Sequence, residues 1–505
     1  MQAKDWEKLK SGSDVRGTAL EGVAGEHVDL TDEAVSGIVK AFLYRLAMQS
    51  GKKELTVAVG HDSRLSAGRI ADCVLKAIAA SGANALFTGL SSTPSMFMLL
   101  KEDSLEADAS VMITASHLPF NKNGLKFFTK DGGLEGKDIS EILSLAAEGT
   151  ALSAAAPGSV KNINYIDTYA QGLVRFVREK TGKERPLSGK KIIVDAGNGA
   201  GGFYVDKVLK PLGADTDGSQ FLEPDGRFPN HIPNPENKDA MRSISEQVKK
   251  VKADFGIIFD TDVDRAGAVD SKGEEINRNR LIALISAILL AEKPGVIVTD
   301  SVTSDGLAEF IKKHGGVHRR FKRGYKNVID ESKRLNAEGV YSPLAIETSG
   351  HAALKENYFL DDGAYLVTRI LISLATLANE GKDISELIKD LPEPAEAAEV
   401  RLSFKEGADF KTLGSGAIED IKKRATEQEG LSLAPDNFEG VRIVFGKDDG
   451  DGWALVRMSL HEPIMPINFE SNKKGGCKQI AKTLLSLLGK YDFLNTENLE
   501  KYLAK

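Results

Sequence analysis

One arrangement of hydrophobic and polar positions occurs three times along the chain. An apolar run is followed by a loop of small and polar residues and then by a stretch with helical periodicity, beginning at Leu55, at Lys191 and at Gly295. Strands that alternate with helices in this way form parallel sheets in α/β domains. The pattern therefore predicts three α/β units.

A second apolar strand follows each of these units, and each of these strands ends in reactive polar residues. The strands begin at Ser110, Phe255 and Ser342, and they lead into the segments TASH, DTDVDR and ETSGH. Ligands of α/β sheets bind at the carboxyl ends of the strands. We therefore expect three related domains around one cleft, with the three loops facing it.

The residue composition changes near Leu387, where proline and glutamate residues indicate a linker. Beyond it, short apolar runs such as VRIVF and WALVRMSL predict strands, and a helix is expected from Gly476 to Tyr491. These elements predict a smaller α+β domain at the C-terminal end. The predicted domains span residues 1–185, 186–293, 294–390 and 396–505.

The composition of the chain argues against several classes of protein. The 505 residues carry a net charge of −7, which argues against a general nucleic-acid binder. Two cysteines, Cys73 and Cys477, cannot form a disulfide framework, so we expect a reducing cytoplasm. The first residues lack the apolar stretch of a signal peptide. The longest apolar run, Leu281–Ala291, is too short to cross a bilayer and predicts a buried helix, so no membrane partner is expected.

The first polar loop contains a candidate nucleophile. Ser116 follows a predicted buried strand, with His117 beside it and Lys126 further along. A serine next to a histidine and near a lysine can be an activated nucleophile. An ordinary turn with a helix-capping serine is the alternative, and it accounts less well for the whole order of Ser, His, Pro, Asn-Gly and Lys.

The second polar loop contains three carboxylates at alternate positions. Asp260, Asp262 and Asp264 come directly after a hydrophobic strand, and Arg265 follows them. Carboxylates this close repel one another, and a hard divalent cation with oxygen ligands relieves that repulsion. An EF-hand loop does not match, because the required glycine and distal glutamate are absent. A solvated acidic turn is the alternative.

Two further segments contain candidate binding groups. Glu347, Ser349 and His351 combine a carboxylate, a hydroxyl and an imidazole, which suits recognition of sugar hydroxyl groups. Arg457 and Ser459 are two apart on a predicted strand end, so both would point to the same side and could hold a phosphate. Taken alone, the Glu347–His351 segment is better explained as a plain surface loop, and the Arg457–Ser459 pair is also a weak signal.

A glycine-rich segment, Gly197–Gly202, fits the dinucleotide pattern G-x-G-x-x-G. The acidic residue of that pattern should close a second strand, yet Asp215 and Asp217 lie in the polar segment GADTDGSQ. We therefore interpret the glycines as allowing a strand-to-helix turn to pack tightly.

Taken together and in order, these segments resemble the signature loops of the α-D-phosphohexomutase family. The family includes phosphoglucomutases, phosphomannomutase/phosphoglucomutases and phosphoglucosamine mutases. Its loops are a Thr-Ala-Ser-His-Asn-Pro serine loop, an Asp-Gly-Asp-Gly-Asp-Arg metal loop, a Gly-Glu-x-Ser-Gly-His sugar loop and an Arg-x-Ser-x-Thr-Glu-Pro phosphate loop. Asp14–Gly17, Gly60–Ser66, Pro224–Asn230 and Gly324–Lys326 also match, so the resemblance covers nearly the whole chain.

The resemblance implies reversible phosphoryl transfer between O1 and O6 of glucose or mannose phosphate, through phospho-Ser116 and a hexose 1,6-bisphosphate. It implies that Asp260, Asp262 and Asp264 bind Mg²⁺ together with an oxygen of the phosphorylated Ser116. It further implies a hexose 1,6-bisphosphate as activator and a monomer or homodimer. The other implied site residues are Arg16, His117, Lys126 and Arg265 at the reaction centre, Gly324, Lys326, Glu347, Ser349 and His351 at the sugar, and Arg457, Ser459 and His461 at the phosphate.

The chain departs from the family pattern at several positions. Leu118 replaces Asn, Thr261 and Val263 stand where glycines are common, His461 replaces Thr, and Pro466 stands where a second Arg is often found. These departures bear on the phosphate anchor and leave the reactive core intact. The sequence does not determine which sugar is preferred. A phosphoglucosamine mutase, a phosphatase with a phosphoserine intermediate and a non-catalytic sugar-phosphate sensor are the alternatives.

Overall fold

The computed structural model describes residues 3–378, 381–459 and 462–504, which fall into two compact units. The first unit contains the chain up to Asn277 together with Ser349–Ala352 and Leu360–Glu386. The second contains Arg278–Thr348, Ala353–Phe359 and the chain from Leu387 onward.

The first sheet of the first unit is mixed. Its strands are β1 Lys10–Ser11, β2 Asp14–Thr18, β3 Thr56–His61, β4 Asn84–Leu90, β5 Ala109–Ile113, β6 Lys122–Thr129, β7 Gly132–Gly133 and β8 Val160–Asn162. They lie in the order β1-β2-β6-β5-β3-β4-β8, with β7 paired to β6. The central strands β3, β4 and β5 are parallel, whereas β6 is antiparallel to β5. The helices are α1 Ala3–Glu7, α2 Asp32–Ser50, α3 Ala67–Ala80, α4 Thr93–Met98, α5 Gly136–Ala147 and α6 Tyr165–Thr181.

Local signals and burial explain this sheet. The Thr31 side chain accepts a hydrogen bond from the Ala34 N–H at the start of α2, and Gly51 ends the helix in the left-handed region. Every residue of β5 is buried, as expected for a strand in the middle of a covered sheet. Burying a Val or Ile side chain contributes about 1.5–3 kcal/mol. This packing fixes the carboxyl end of β5, where the serine loop begins.

The second sheet of the first unit has four strands in the order β12-β11-β10-β9. They are β9 Ile192–Asp195, β10 Phe255–Phe259, β11 Ala266–Asp270 and β12 Glu275–Ile276. Strand β10 is parallel to β9 and antiparallel to β11, and α7 Lys238–Val251 packs on the sheet. The helix predicted after the Lys191 strand is a single π-helical turn, Val205–Leu209.

The glycines after β9 serve close packing, as predicted. A Cβ at Gly199 would lie 2.6 Å from the Thr261 carbonyl oxygen, and one at Gly201 would lie 2.9 Å from the Phe259 ring. Both contacts are too short for any side chain, so these positions require glycine. They let the loop after β9 approach the end of β10, where the acidic residues begin.

The third sheet has parallel strands at its centre. The strands are β13 Val296–Thr299, β14 Val317–Arg320, β15 Leu344–Ile346 and β16 Ala352–Leu354, and the helices are α8 Asn279–Glu292, α9 Asp305–Lys313 and α10 Tyr325–Ala337. Strand β13 is parallel to both β14 and β15. The apolar run that starts at Leu281 is a buried part of α8, as predicted. Strand β17 Leu360–Asp361 and helix α11 Gly363–Ala378 follow and belong to the first unit.

The C-terminal part is an antiparallel sheet with helices. The strands are β18 Glu396–Phe404, β19 Leu431–Leu433, β20 Val441–Phe445, β21 Gly452–Val456, β22 Ile464–Ser471 and β23 Leu494–Asn495, in the order β19-β20-β21-β22-β18-β23. The helices are α12 Phe410–Glu427, α13 Gly476–Leu488 and α14 Glu497–Ala504. Helix α13 ends three residues before the predicted end at Tyr491.

The predicted fold class is confirmed, with three α/β sheets followed by a smaller α+β domain. None of the helices within the described ranges has the length and apolar character needed to cross a membrane. The domain limits 1–185, 186–293, 294–390 and 396–505 stay a prediction.

Candidate functional site

Ser116 lies in the first unit, in the loop between β5 and β6. Its φ is +52°, in the left-handed region, and it is 4% exposed. The Ser116 N–H donates to Thr114 Oγ1 at 2.9 Å, and Thr114 Oγ1 donates to the buried Asp62 carboxylate at 2.6 Å. A non-glycine residue held at positive φ marks a backbone that its surroundings constrain. The loop therefore presents Ser116 Oγ in a fixed direction.

Arg64 supports this loop by binding the backbone of the loop. The sequence patterns did not single out Arg64 as a site residue. Its guanidinium group donates to four backbone carbonyl oxygens, those of Ser116, Leu118, Pro119 and Lys122. The side chain is fully buried and lies 3.4 Å from Asp62, which balances its charge. The segment Gly60–Ser66, noted above as a family match, contains both residues.

The three aspartates follow β10 and are completely or almost completely buried. One carboxylate oxygen from each lies within 4.8 Å of the others. Burial and the charge of Asp264 raise the pKa of Asp260 well above its ordinary value. Asp262 Oδ1 and Asp264 Oδ1 accept no hydrogen bond from any described residue. Buried carboxylate oxygens without donors fit a hard divalent cation such as Mg²⁺, and a solvated acidic turn is excluded.

Arg265 joins the serine loop to the aspartates. Its Nε donates to Asp260 Oδ2 at 3.0 Å, while Nη2 donates to Ser116 Oγ at 3.1 Å and to His117 Nδ1 at 2.6 Å. Ser116 Oγ itself lies 3.3 Å from Asp260 Oδ2. Burial, together with the charges of Arg265 and Arg16, lowers the pKa of His117 to about 3. His117 is therefore a neutral hydrogen-bond acceptor at physiological pH.

Two more predicted cations lie at this cluster. Lys126 is on β6, and its Nζ lies 2.6 Å from Asp264 Oδ2 and 3.3 Å from Asp262 Oδ2. Arg16 is on β2 and pairs with Asp14 at 2.9 Å. Burial opposes its charge, but Asp14 and the aspartates Asp262 and Asp264 raise the pKa of Arg16. Both side chains therefore supply positive charge beside the carboxylates.

Part of the predicted sugar loop lies in the same unit. Ser349 Oγ is 2.9 Å from His351 Nδ1, and His351 Nε2 is 3.7 Å from Asp264 Oδ1. Burial lowers the pKa of His351 to about 3. Gly350 has φ +94°, and a Cβ there would lie 2.8 Å from the Ala266 carbonyl oxygen. The structure thus places His351 beside the metal loop.

The other predicted binding residues belong to the second unit. The Gly324 N–H donates to Glu347 Oε1 at 2.6 Å, and Lys326 Nζ pairs with Asp330 at 3.3 Å on α10. Arg457, at the end of β21, is 8% exposed. Its Nε has no hydrogen-bond partner in the part of the chain that the structure describes.

The rest of the predicted phosphate loop is only partly described. The Ser459 hydroxyl accepts from the Glu462 N–H at 3.3 Å, whereas His461 lies outside the described residues. Pro466, on β22, accepts the Arg457 N–H through its carbonyl oxygen at 3.2 Å. Glu439, which we did not predict, lies 4.0 Å from Arg457. An isolated glutamate before a strand gives no sequence signal of such a contact.

A buried serine beside a carboxylate triad and an arginine, at the ends of strands in α/β sheets, is the arrangement of a metal-assisted phosphoryl-transfer site. Three family models match the chain in sequence. Their descriptions are phosphoglucomutase/phosphomannomutase alpha/beta/alpha domains I, II and III, and they match residues 8–152, 164–273 and 277–395. The chain belongs to the phosphoglucomutase/phosphomannomutase family, which confirms the predicted resemblance.

Individual relatives agree with this family. A phosphoglucomutase of Neisseria gonorrhoeae is 30% identical over 464 residues, which cover 91% of this chain and 93% of the relative. A phosphomannomutase/phosphoglucomutase of Pseudomonas putida is 30% identical over 438 residues, covering 86% and 87%. Among solved structures, a phosphoglucomutase/phosphomannomutase family protein of Burkholderia thailandensis has the same fold, with a TM-score of 0.79 and 24% identity over 97% of this chain and 99% of that one.

Proposed function

We propose that this chain is a phosphohexomutase that moves a phosphoryl group reversibly between O1 and O6 of glucose or mannose phosphate through phospho-Ser116. The observation that carries the proposal is the position of Ser116 Oγ, within 3.3 Å of both Arg265 Nη2 and Asp260 Oδ2 in a buried cluster. Membership of the phosphoglucomutase/phosphomannomutase family supports the substrate class.

The proposed reaction has two transfers. A free hydroxyl of the hexose monophosphate attacks the phosphorus of phospho-Ser116, loses its proton to a base, and breaks the bond between phosphorus and Ser116 Oγ. The product is a hexose 1,6-bisphosphate. After the sugar turns, Ser116 Oγ attacks the phosphorus of the other phosphate group, and the bond between that phosphorus and the sugar oxygen breaks. The sugar oxygen takes up the proton that the base received in the first transfer, so phospho-Ser116 is restored and the isomer is released. A hexose 1,6-bisphosphate from solution would phosphorylate an empty Ser116 and so activate the enzyme.

The cluster supplies the charge that this chemistry needs. Arg265 donates to Ser116 Oγ, so it can stabilise the negative charge that grows on Oγ as the bond to phosphorus breaks. Lys126 pairs with Asp264 and is our candidate for proton transfer or charge stabilisation. Neutral His117 holds the Arg265 guanidinium in place. Water exclusion by burial protects the phosphoserine from hydrolysis.

Asp260, Asp262 and Asp264, with an oxygen of phosphorylated Ser116, would hold Mg²⁺. When bound, the ion supplies positive charge beside the phosphoryl group. The three carboxylates and the dianion of the phosphoserine would lie next to one another. Their combined negative charge exceeds the positive charge of Lys126, Arg16 and Arg265.

The second set of residues would recognise the rest of the substrate. Glu347 and Ser349 would bind sugar hydroxyl groups, and Gly324, Lys326 and His351 would contribute to the same recognition. Arg457, Ser459 and His461 would hold the phosphate that is not reacting. A buried guanidinium group whose Nε lacks a partner among the described residues supports this role for Arg457. We place the reaction in the cytoplasm, in a monomer or homodimer.

The test compares Ser116→Ala with the wild-type protein in coupled assays on glucose, mannose and glucosamine 1-phosphates. We expect Ser116→Ala to lose nearly all turnover, and peptide mass spectrometry of the wild type to find phosphate on Ser116. Ser110→Ala is the matched control, because Ser110 lies on the strand that leads to Ser116 and its Oγ donates to the Met96 carbonyl oxygen and not to a residue of the cluster.

Other outcomes separate the alternatives. Steady release of inorganic phosphate without isomer formation would indicate a phosphatase, and binding without turnover would indicate a sensor. Preference for glucosamine 1-phosphate would indicate a phosphoglucosamine mutase. Wild-type turnover in Ser116→Ala would exclude the proposed mechanism.

A further inference from the structure

Glu439 is a carboxylate with neighbours on two sides, in the turn that precedes β20. Its Oε2 accepts hydrogen bonds from Ser301 Oγ at 2.5 Å and from the Arg323 N–H at 3.0 Å. Its Oε1 lies 4.0 Å from Arg457 Nη1. The side chain is 12% exposed, so solvent screens these interactions only weakly.

The backbone brings Glu439 close to Arg457 for a steric reason. Gly440 has φ +58°, and a Cβ there would lie 2.1 Å from the Val456 carbonyl oxygen and 2.8 Å from the Arg457 Cα. Only glycine permits this approach. The carboxylate therefore stands beside the guanidinium group because of the local backbone, and a longer side chain at residue 440 would separate them.

The other side of Glu439 holds a turn that carries predicted sugar contacts. Two consecutive amides of this turn are bound by two carboxylates, the Arg323 N–H by Glu439 and the Gly324 N–H by Glu347 at 2.6 Å. Gly324 has φ +113°, and Lys326 follows in the first turn of α10. Glu439 and Glu347 together fix the position of the segment Gly324–Lys326.

The contact with Arg457 is an ion pair without a hydrogen bond. At 4.0 Å, Glu439 compensates the buried positive charge but leaves the N–H donors of Arg457 able to bind another anion. Burial lowers the pKa of Arg457, and among the surrounding charges Glu439 opposes that shift most. A phosphate bound to Arg457 would take over the same compensation.

We propose that Glu439 is a positioning residue that couples phosphate binding at Arg457 to the sugar-contacting turn at Gly324–Lys326. Its Oε2 accepts the hydrogen bond from the turn. Its Oε1 supplies the negative charge that compensates Arg457, and a bound phosphate would compete with Oε1 for that guanidinium group. This inference rests on the proposed function, because it takes Arg457 as the anchor of the non-reacting phosphate.

Two substitutions separate the two halves of this role. Glu439→Gln removes the charge and keeps an acceptor for the turn, whereas Glu439→Ala removes both. We expect each variant to bind inorganic phosphate about three- to tenfold more tightly by calorimetry, because Arg457 loses a competing anion. Only Glu439→Ala should raise KM for glucose 1-phosphate, because the turn then loses its support. A merely structural role would weaken both ligands in both variants.

The control and the double substitution make the test decisive. Asp436→Asn removes an equal charge from the same turn, but Asp436 faces Arg319 at 3.6 Å, so it should leave phosphate affinity unchanged. In an Arg457→Ala background, Glu439→Gln should no longer change phosphate affinity. If Glu439→Gln changed phosphate affinity equally with and without Arg457, the proposed role of Glu439 would be wrong and the phosphate anchor would be unaffected. If Arg457→Ala by itself left phosphate affinity unchanged, both this inference and the proposed phosphate anchor would be wrong.

Discussion

Arg64 illustrates how a single buried charge can shape a reactive loop. Four carbonyl oxygens of one loop accept hydrogen bonds from its guanidinium group, and Ser116 in this loop has a positive φ. Hydrogen bonds to a charged group contribute about 1.5–3 kcal/mol each, so the loop geometry depends strongly on this side chain. Arg64 contacts the backbone of Ser116 and not its hydroxyl, which makes it a positioning residue.

We predict that Arg64→Lys lowers kcat about 10- to 100-fold with little change in KM, because a lysine cannot reach four acceptors with a planar fork. Steady-state kinetics and the phosphorylated fraction of Ser116 by mass spectrometry check this. Arg64→Met combined with Asp62→Asn removes the buried pair without leaving one charge alone, and it should show the same loss. Normal kcat in the folded double variant would contradict the role of Arg64.

Arg457 is the second residue for which we make a specific kinetic prediction. In the proposed reaction the sugar binds in two orientations, so one anchor would serve both 1-phosphate and 6-phosphate substrates. We predict that Arg457→Ala lowers kcat/KM for both by a similar factor, about 10- to 100-fold, as expected for one lost charged hydrogen bond. Arg401→Ala is the control, since Arg401 is a surface residue of the same domain that pairs with Glu399. A loss confined to one substrate would mean that the two orientations use different anchors.

At the scale of elements, the loop between β9 and α7 is tied to the sheet by a charged pair. His231 Nε2 lies 3.0 Å from both carboxylate oxygens of Asp195, at the end of β9. Three residues later, Asn234 Oδ1 accepts from Arg265 Nη1 at 3.2 Å. The loop thus helps to hold Arg265 beside Ser116 and the aspartates.

This pair makes stability depend on pH. Burial lowers the pKa of His231, but the hydrogen bond and charge of Asp195 outweigh it, so the folded pKa is raised. The stabilisation is complete below the ordinary histidine pKa and is lost as pH rises through the folded value. We predict that His231→Gln destabilises the protein by about 1.5–3 kcal/mol at acid pH and by less in alkaline solution. Calorimetry across this pH range measures the difference, and a difference independent of pH would contradict the prediction.

At the scale of the whole molecule, the metal should affect both stability and activity. The crowded aspartates repel one another without a cation, so Mg²⁺ should stabilise the folded state as well as support turnover. We predict that EDTA abolishes activity, that Mg²⁺ restores it, and that Mg²⁺ raises the melting temperature of wild-type protein but not of Asp262→Asn. Full activity after exhaustive chelation, or equal melting shifts in both proteins, would contradict the metal assignment.

Much of this protein is determined by the sequence alone. The apolar strands at Ser110 and Phe255, and the polar residues that end them, follow from local periodicity, because alternation and burial are properties of short segments. Ser116, the three aspartates and the α/β class could accordingly be predicted from the order of residues, as could the buried helix α8.

Other features are decided only by the tertiary structure, because they join residues far apart in the chain. Lys126 meets Asp264, 138 positions away, and Arg64 meets Ser116, 52 positions away. Glu439 reaches the Arg323 amide across 116 positions. No local pattern encodes such contacts, since they depend on how sheets pack and where glycines such as Gly440 let backbones approach. The sequence determined which groups could react, and the packing of distant segments decided which of them meet.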